Sequence, residues 1–182
     1  MRKIRVKNYS DVYIGEYPFH KELKEELLPL LENYPDEMGR KTSVKATMTK
    51  YKWDPKSDRL ERLKNNILEF ANYNCSFKWT GGVYARYFMW EFWANIYRKG
   101  DYTLSHDHRP QHLSFVYFLK TKWYYSPLVF SDSGKKILPK EGTFVIFPSN
   151  VRHLVPKHRY RETRITLSGN ILIKDSLFTK CL

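Results

Sequence analysis

Three histidines have the types and the spacing to hold a metal ion. His106 and His108 stand one residue apart in GDYTLSHDHRP, and His153 closes GTFVIFPSNVRH. Along a β-strand, side chains two apart share a face, so the first pair converges while Asp107 points away. A third imidazole from a neighbouring strand completes one triangular face of an ion and leaves its other positions open. Such facial three-ligand sites suit non-haem iron that activates oxygen, although imidazole also serves zinc, copper and nickel. Three neutral ligands leave the full divalent charge in place, which favours an anionic chelate. Asp107 is the nearest carboxylate and is read as orienting a ligand. It becomes the second ligand in place of His108 only if a bulge inverts the local parity. The other histidines, His20, His112 and His158, are expected at the surface.

A cation and two hydroxyls follow on one strand face. Arg164 comes eleven residues after His153 and shares its parity with Thr166 and Ser168. A guanidinium fork meets a carboxylate through two parallel hydrogen bonds, so this face suits a small dicarboxylate. Tyr102 and Leu104 share the parity of His106 and His108 and are expected to line the same cavity. Asn95 and Tyr117, on flanking strand candidates, are further cavity candidates, equally readable as a capped amide and a core aromatic.

The elements that must position these groups are mostly strands. From residue 77 onward the chain is aromatic and β-branched without helical period, in GVYARYFMWEFWANIYRKG. YTLSHDH, LSFVYFLK, YSPLVFSD, KKILP, GTFVIFP, HLVP and RITLSGNILIK then follow at short intervals. Turn residues separate them: Lys99-Gly100, Asp132-Ser133-Gly134 and Glu141-Gly142. Closely spaced strands of this kind predict a sandwich or barrel. Before them, KIRVK and VKATM read as short strands. Leu23, Leu27, Leu30 and Leu31 recur at helical spacing over His20 to Tyr34, with Pro29 as an expected kink. Ser57 is a predicted N-cap for a second helix carrying Leu60, Leu63, Ile67 and Phe70. Both helices need an apolar partner, expected to be the outside of a sheet.

Composition sets limits on these readings. The 182 residues are 42% hydrophobic, a globular composition of single-domain length, and 16% are aromatic, which favours sheet. The expected organisation is one domain over 1–182, with a helix-rich part at 1–75 and a strand core at 76–174. The net charge of +13 favours anionic partners: a dianionic cosubstrate, nucleic acid, an acidic protein or a membrane surface. The basic residues form no block of five, so no dedicated nucleic-acid arm is visible. Two cysteines, Cys75 and Cys181, give neither a disulfide framework nor a zinc spacing. With no secretory-type leader and no apolar run of membrane length, a cytoplasmic protein without a membrane partner is expected.

The segments FWANIYRKG, HDHRPQHLSFVYFL, GTFVIFPSNVRHLVP and RITLSGNI, in that order, resemble the phage-type iron(II)/2-oxoglutarate-dependent oxygenases, which are prolyl-hydroxylase-like. The resemblance covers about residues 42 to 174. It implies a mainly β (α+β) fold, the double-stranded β-helix or jelly roll, with N-terminal helices packed on the outside of the major sheet. It also implies a hydroxylase that consumes 2-oxoglutarate and O2, releases succinate, and takes Fe(II) with ascorbate as reductant. Carried over by position, His106, His108 and His153 are the iron ligands. Arg164 pairs the distal carboxylate of 2-oxoglutarate and Thr166 supplies a hydroxyl. The chain departs from the family pattern twice. His108 stands where most members have Asp or Glu, and Arg164-x-Thr166 replaces Arg-x-Ser. A peptidyl or prolyl side chain is the first substrate expected and nucleic acid the second.

Two other functions fit parts of the pattern. GDYTLSHDH also matches the opening of a cupin motif, although the glutamate expected after the paired histidines is absent and Asn150 replaces a Gly in the second motif. A cupin shares the jelly roll but has no need of Arg164-x-Thr166. A non-enzymatic nucleic-acid module is suggested by the charge and the aromatics, which can form stacking platforms.

Overall fold

The computed structural model describes residues 1–7, 10–75 and 86–174. Cys181 and the first residues of the GVYARYF run lie outside them.

Two antiparallel sheets face each other. The larger takes its strands in the order β1 (Arg2–Lys7), β2 (Ser10–Glu16), β10 (Thr143–Pro148), β7 (Leu113–Lys120), β12 (Arg164–Lys174), β5 (Arg86–Tyr97) and β4 (Thr47–Met48). The smaller runs β3 (Val44–Lys45), β6 (Tyr102–His106), β11 (His153–Val155), β8 (Leu128–Phe130) and β9 (Lys136–Ile137). VKATM is therefore two strands, not one: the chain leaves the smaller sheet at Val44–Lys45 and enters the larger at Thr47–Met48. The first 75 residues contribute strands to both sheets as well as the helices, so they are more than an outer layer.

Strand alternation in the larger sheet separates two cores. Leu113, Phe115, Tyr117 and Leu119 of β7, with Ile165 and Leu167 of β12, pack beneath α1 (His20–Leu31) and α2 (Asp58–Asn74). The opposite parity, including Val116, Phe118, Val145 and Phe147, faces the smaller sheet. Both faces of β7 are covered, which is why LSFVYFLK is apolar almost throughout.

The helices form for local reasons and stay because of this face. Ser57 Oγ accepts from the Leu60 N–H at 3.0 Å and caps α2, whose Leu60, Leu63, Ile67 and Ala71 are buried. In α1, Leu23, Leu27 and Leu31 are buried. Leu30, expected on the same face, is instead exposed, because the stripe follows the 23-27-31 spacing. The helix runs through Pro29 and ends two residues later.

Glycine is needed at two places that shape the site. Gly100, at φ +98°, makes the turn from β5 into β6. Gly169 on β12 lies so close to β5 that a Cβ would meet the Glu91 carbonyl at 2.5 Å.

Candidate metal and dicarboxylate site

The paired strands β6 and β11 bring the histidines together. His153 is directly opposite His106, and their ring centroids are 4.4 Å apart. His108 lies beyond the end of β6, in the following loop. Its N–H donates to the Ser149 carbonyl at 2.8 Å, and its ring centroid is 4.8 Å from that of His106 and 5.1 Å from that of His153. The convergence expected from strand parity is present, but the loop produces it for His108. One ligand atom from each ring falls within 4.8 Å of the others, close enough for one ion after small ring rotations.

The rings are prepared for a metal. His106 Nδ1 lies 2.9 Å from the Leu104 carbonyl and His153 Nδ1 lies 3.1 Å from the Val151 carbonyl. A carbonyl can only accept, so each Nδ1 carries the proton and each Nε2 keeps a free lone pair. Burial holds all three imidazoles below the ordinary histidine value, and their proximity to one another adds to it for His108 and His153. His108 is lowered to about 3 and His153 well below 6.5. Neutral imidazoles are the form that binds a metal. Asp107 pairs with Arg109, at 2.9 Å, and is not part of the cluster.

The same cavity contains Arg164, Thr166, Ser168 and Asn95. Arg164 is 0% exposed, yet Nε, Nη1 and Nη2 have no hydrogen-bond partner among the described residues. Its guanidinium lies over the Tyr97 and Phe118 rings, at 4.8 and 5.6 Å from their centroids. Burial lowers its affinity for a proton, and the adjoining Tyr97 opposes that. A buried guanidinium without an acceptor is costly unless an anion completes it, so the donor set fits a ligand carboxylate. Asn95 Nδ2 donates to Ser168 Oγ at 3.0 Å, while its Oδ1 accepts from Trp93 Nε1 at 3.1 Å.

Three positional expectations are corrected. Tyr102 and Leu104 do not line the cavity; Thr103 does, and Leu104 is 49% exposed. Two residues of β11, from His153 to Val155, span three of β6, from His106 to Thr103, so a bulge reverses the parity before the histidine. Tyr117 is on the helix side of its sheet, where its hydroxyl meets His20 Nδ1 at 2.7 Å. His158 is not at the surface: it is 0% exposed, and its Nε2 donates to the Glu162 carbonyl at 2.8 Å. Trp93, Tyr97, Thr103 and Val155 join the lining without having been singled out in the sequence. The parity of Trp93-x-Asn95-x-Tyr97 carried the signal for two of them.

Outside the histidines a second depression is lined by Lys41, Thr42, Ser43, Val44, Met48, Tyr51 and Trp93, and it shares His106 and His108 with the cavity. Tyr51 and Trp93 meet edge to face at 5.2 Å.

No family model matches the chain, and no curated protein matches it. Solved structures do match. A viral collagen prolyl hydroxylase from Paramecium bursaria chlorella virus-1, in complex with 2OG, superposes with a TM-score of 0.67 at 14% identity, covering 90% of this chain and 96% of that one. A Pseudomonas putida prolyl-4-hydroxylase gives 0.62 at 15% identity, covering 90% and 93%. A Trichoplax adhaerens prolyl hydroxylase, in complex with a hypoxia inducible factor peptide fragment, gives 0.64 at 13%, covering 88% and 83%. The fold is theirs. The architecture is the double-stranded β-helix with its helices outside the larger sheet.

Proposed function

We propose that this chain is an iron(II)- and 2-oxoglutarate-dependent oxygenase that hydroxylates a peptidyl side chain, prolyl first. The observation that carries the reading is the fully buried guanidinium of Arg164, without an acceptor among the described residues, in the cavity that also holds the three histidines. A cupin without this cosubstrate leaves that cation unexplained.

His106 and His153 would hold iron through Nε2, with His108 as the third ligand. Bound iron supplies the oxidant for C–H hydroxylation, at the expense of 2-oxoglutarate and O2, with succinate and carbon dioxide as coproducts. Arg164 would receive the distal carboxylate as a two-pronged donor, with Thr166 adding a hydroxyl. Tyr97, fixed by its 2.8 Å hydrogen bond to Thr103 Oγ1, holds the guanidinium plane from one side. Leu128, Phe147 and Val155 exclude water from the same space. Ascorbate is the reductant we would supply.

The substrate would approach through the depression beside Trp93 and Tyr51. A peptide is favoured because an aromatic-walled groove suits an extended, proline-containing chain, and because the solved structures of this fold include prolyl hydroxylases, one with a bound peptide. Among the described residues no helix is long and apolar enough to cross a membrane. The test is succinate formation from 2-oxoglutarate, with Fe(II), ascorbate and O2, across a set of proline-containing peptides and single-stranded oligonucleotides. Peptide-stimulated turnover with an added oxygen in the peptide supports the proposal; stimulation by oligonucleotides alone redirects it to nucleic acid.

A further inference from the structure

His108 is the one histidine of the cluster outside a strand, and no hydrogen bond to its ring occurs among the described residues. What fixes its backbone is Ser149, in the turn after β10. The Ser149 carbonyl accepts the His108 N–H at 2.8 Å, and the Ser149 N–H donates to the His112 carbonyl at 3.1 Å. One residue therefore clamps both ends of the 108–112 loop.

Ser149 is itself held by a buried chain of hydrogen bonds. Its Oγ lies 2.9 Å from Ser114 Oγ, which lies 2.8 Å from Asn170 Oδ1, and Asn170 Nδ2 lies 2.7 Å from Glu91 Oε2. Ser114, Ser149 and Asn170 are 1%, 1% and 3% exposed. The proton directions follow from the end of the chain. A carboxylate accepts, so the Asn170 amide donates to Glu91 and offers its oxygen to Ser114. Ser114 has only one hydroxyl proton, and it goes to Asn170, so Ser149 must donate to Ser114. Every donor in the row points the same way, and each bond polarises the next.

We infer that Ser149, braced by Ser114, Asn170 and Glu91, is a positioning device for His108, so that strands β7, β12 and β5 set the third corner of the metal site from behind. The inference rests on the metal reading above. It assigns no contact with the metal to the four residues: they act through the backbone of His108.

The test compares Ser149→Ala and Glu91→Ala with Ser57→Ala, which weakens α2 without touching the brace. Two quantities are read: Mn(II) affinity by electron paramagnetic resonance, and hydrogen exchange at the His108 amide in the metal-free chain. Ser149→Ala is expected to weaken Mn(II) binding about tenfold or more and to speed exchange at His108, while amides at the centre of β7 stay protected. Glu91→Ala, at the half-exposed end, shifts both in the same direction by less and guards against a folding defect in the buried variant. Ser57→Ala lowers thermal stability and leaves both readouts unchanged. Unchanged Mn(II) affinity and exchange in Ser149→Ala would overturn the brace. A wild-type chain that binds no Mn(II) overturns the metal reading instead, and the exchange at His108 still decides whether the brace exists.

Discussion

The guanidinium carbon of Arg164 lies 4.8 Å above the Tyr97 ring centroid, and all three guanidinium nitrogens lack a hydrogen-bond partner among the described residues. Cation–π attraction to Tyr97 and Phe118 offsets part of the cost of burying the charge, at about 2 kcal/mol for a desolvated contact. The rest of the cost is what a bound carboxylate would remove.

Arg164→Met should therefore separate stability from binding. In the ligand-free protein it removes an unpartnered buried cation and leaves an aliphatic side chain of similar length, so the melting temperature holds or rises. 2-Oxoglutarate affinity should fall by about 150-fold or more, the loss of two charge-assisted hydrogen bonds at about 1.5–3 kcal/mol each. Thermal melts of the Mn(II)-loaded chains, with and without 2-oxoglutarate, check both: the cosubstrate should stabilise wild type and leave the variant nearly unmoved. A variant that melts early and still gains from 2-oxoglutarate would place the carboxylate elsewhere.

The Tyr97–Thr103 hydrogen bond gives a smaller, graded effect. Thr103→Val keeps the shape and removes the hydroxyl, leaving the buried Tyr97 phenol without that partner. A loss of about 1 kcal/mol corresponds to a rise of about fivefold in the KM for 2-oxoglutarate. Leu104→Ser, on the outward side of the bulge, should leave that KM unchanged. Steady-state kinetics on the two variants distinguishes the bulged register from a regular one.

Acidification should destabilise the metal-free chain. His106, His108 and His153 are held below the ordinary histidine value, chiefly by burial, so the unfolded chain takes up protons that the folded chain refuses. Their contribution is present above about pH 6.5 and is lost as pH falls through and below that point, down to about 3 for His108. Each histidine adds up to about 1.4 kcal/mol per pH unit in that window. Buried His158 contributes with the same sign. Urea unfolding at pH 7, 6 and 5 should show stability falling, with a shallower slope in His108→Ala. A pH-independent midpoint over this range would contradict the neutral, buried cluster.

Tyr51 tests the groove. Tyr51→Ala removes one wall beside Trp93 without touching the cavity, so it should lower kcat/KM for a peptide about tenfold and leave 2-oxoglutarate affinity unchanged. Parallel titrations of the two substrates make the comparison.

Much of the architecture was legible because unbulged strands obey a period of two. Arg164, Thr166 and Ser168 share a face as their spacing implies, and Ile165 and Leu167 take the other side. The one-residue bulge in β6 was invisible in YTLSH, and it exchanged Thr103 for Tyr102 and Leu104. Tyr117 failed for a different reason. A strand buried on both faces is apolar at nearly every position, so LSFVYFLK cannot say which side its tyrosine takes. His158 gave no sign of burial, because its partners are a backbone carbonyl and the Tyr125 and Tyr160 rings. Ser114, Ser149 and Asn170 read as ordinary polar residues; only their meeting from two strands and a turn makes them a row.

The most direct measurement is calorimetric titration of 2-oxoglutarate into the chain under anaerobic conditions, with and without Mn(II) in place of iron. Binding should require the metal, disappear in His153→Ala, and weaken in Arg164→Met while Mn(II) affinity persists. Metal-independent binding of 2-oxoglutarate, or none in the metal-loaded wild type, would contradict a single cavity that joins the three imidazoles to Arg164.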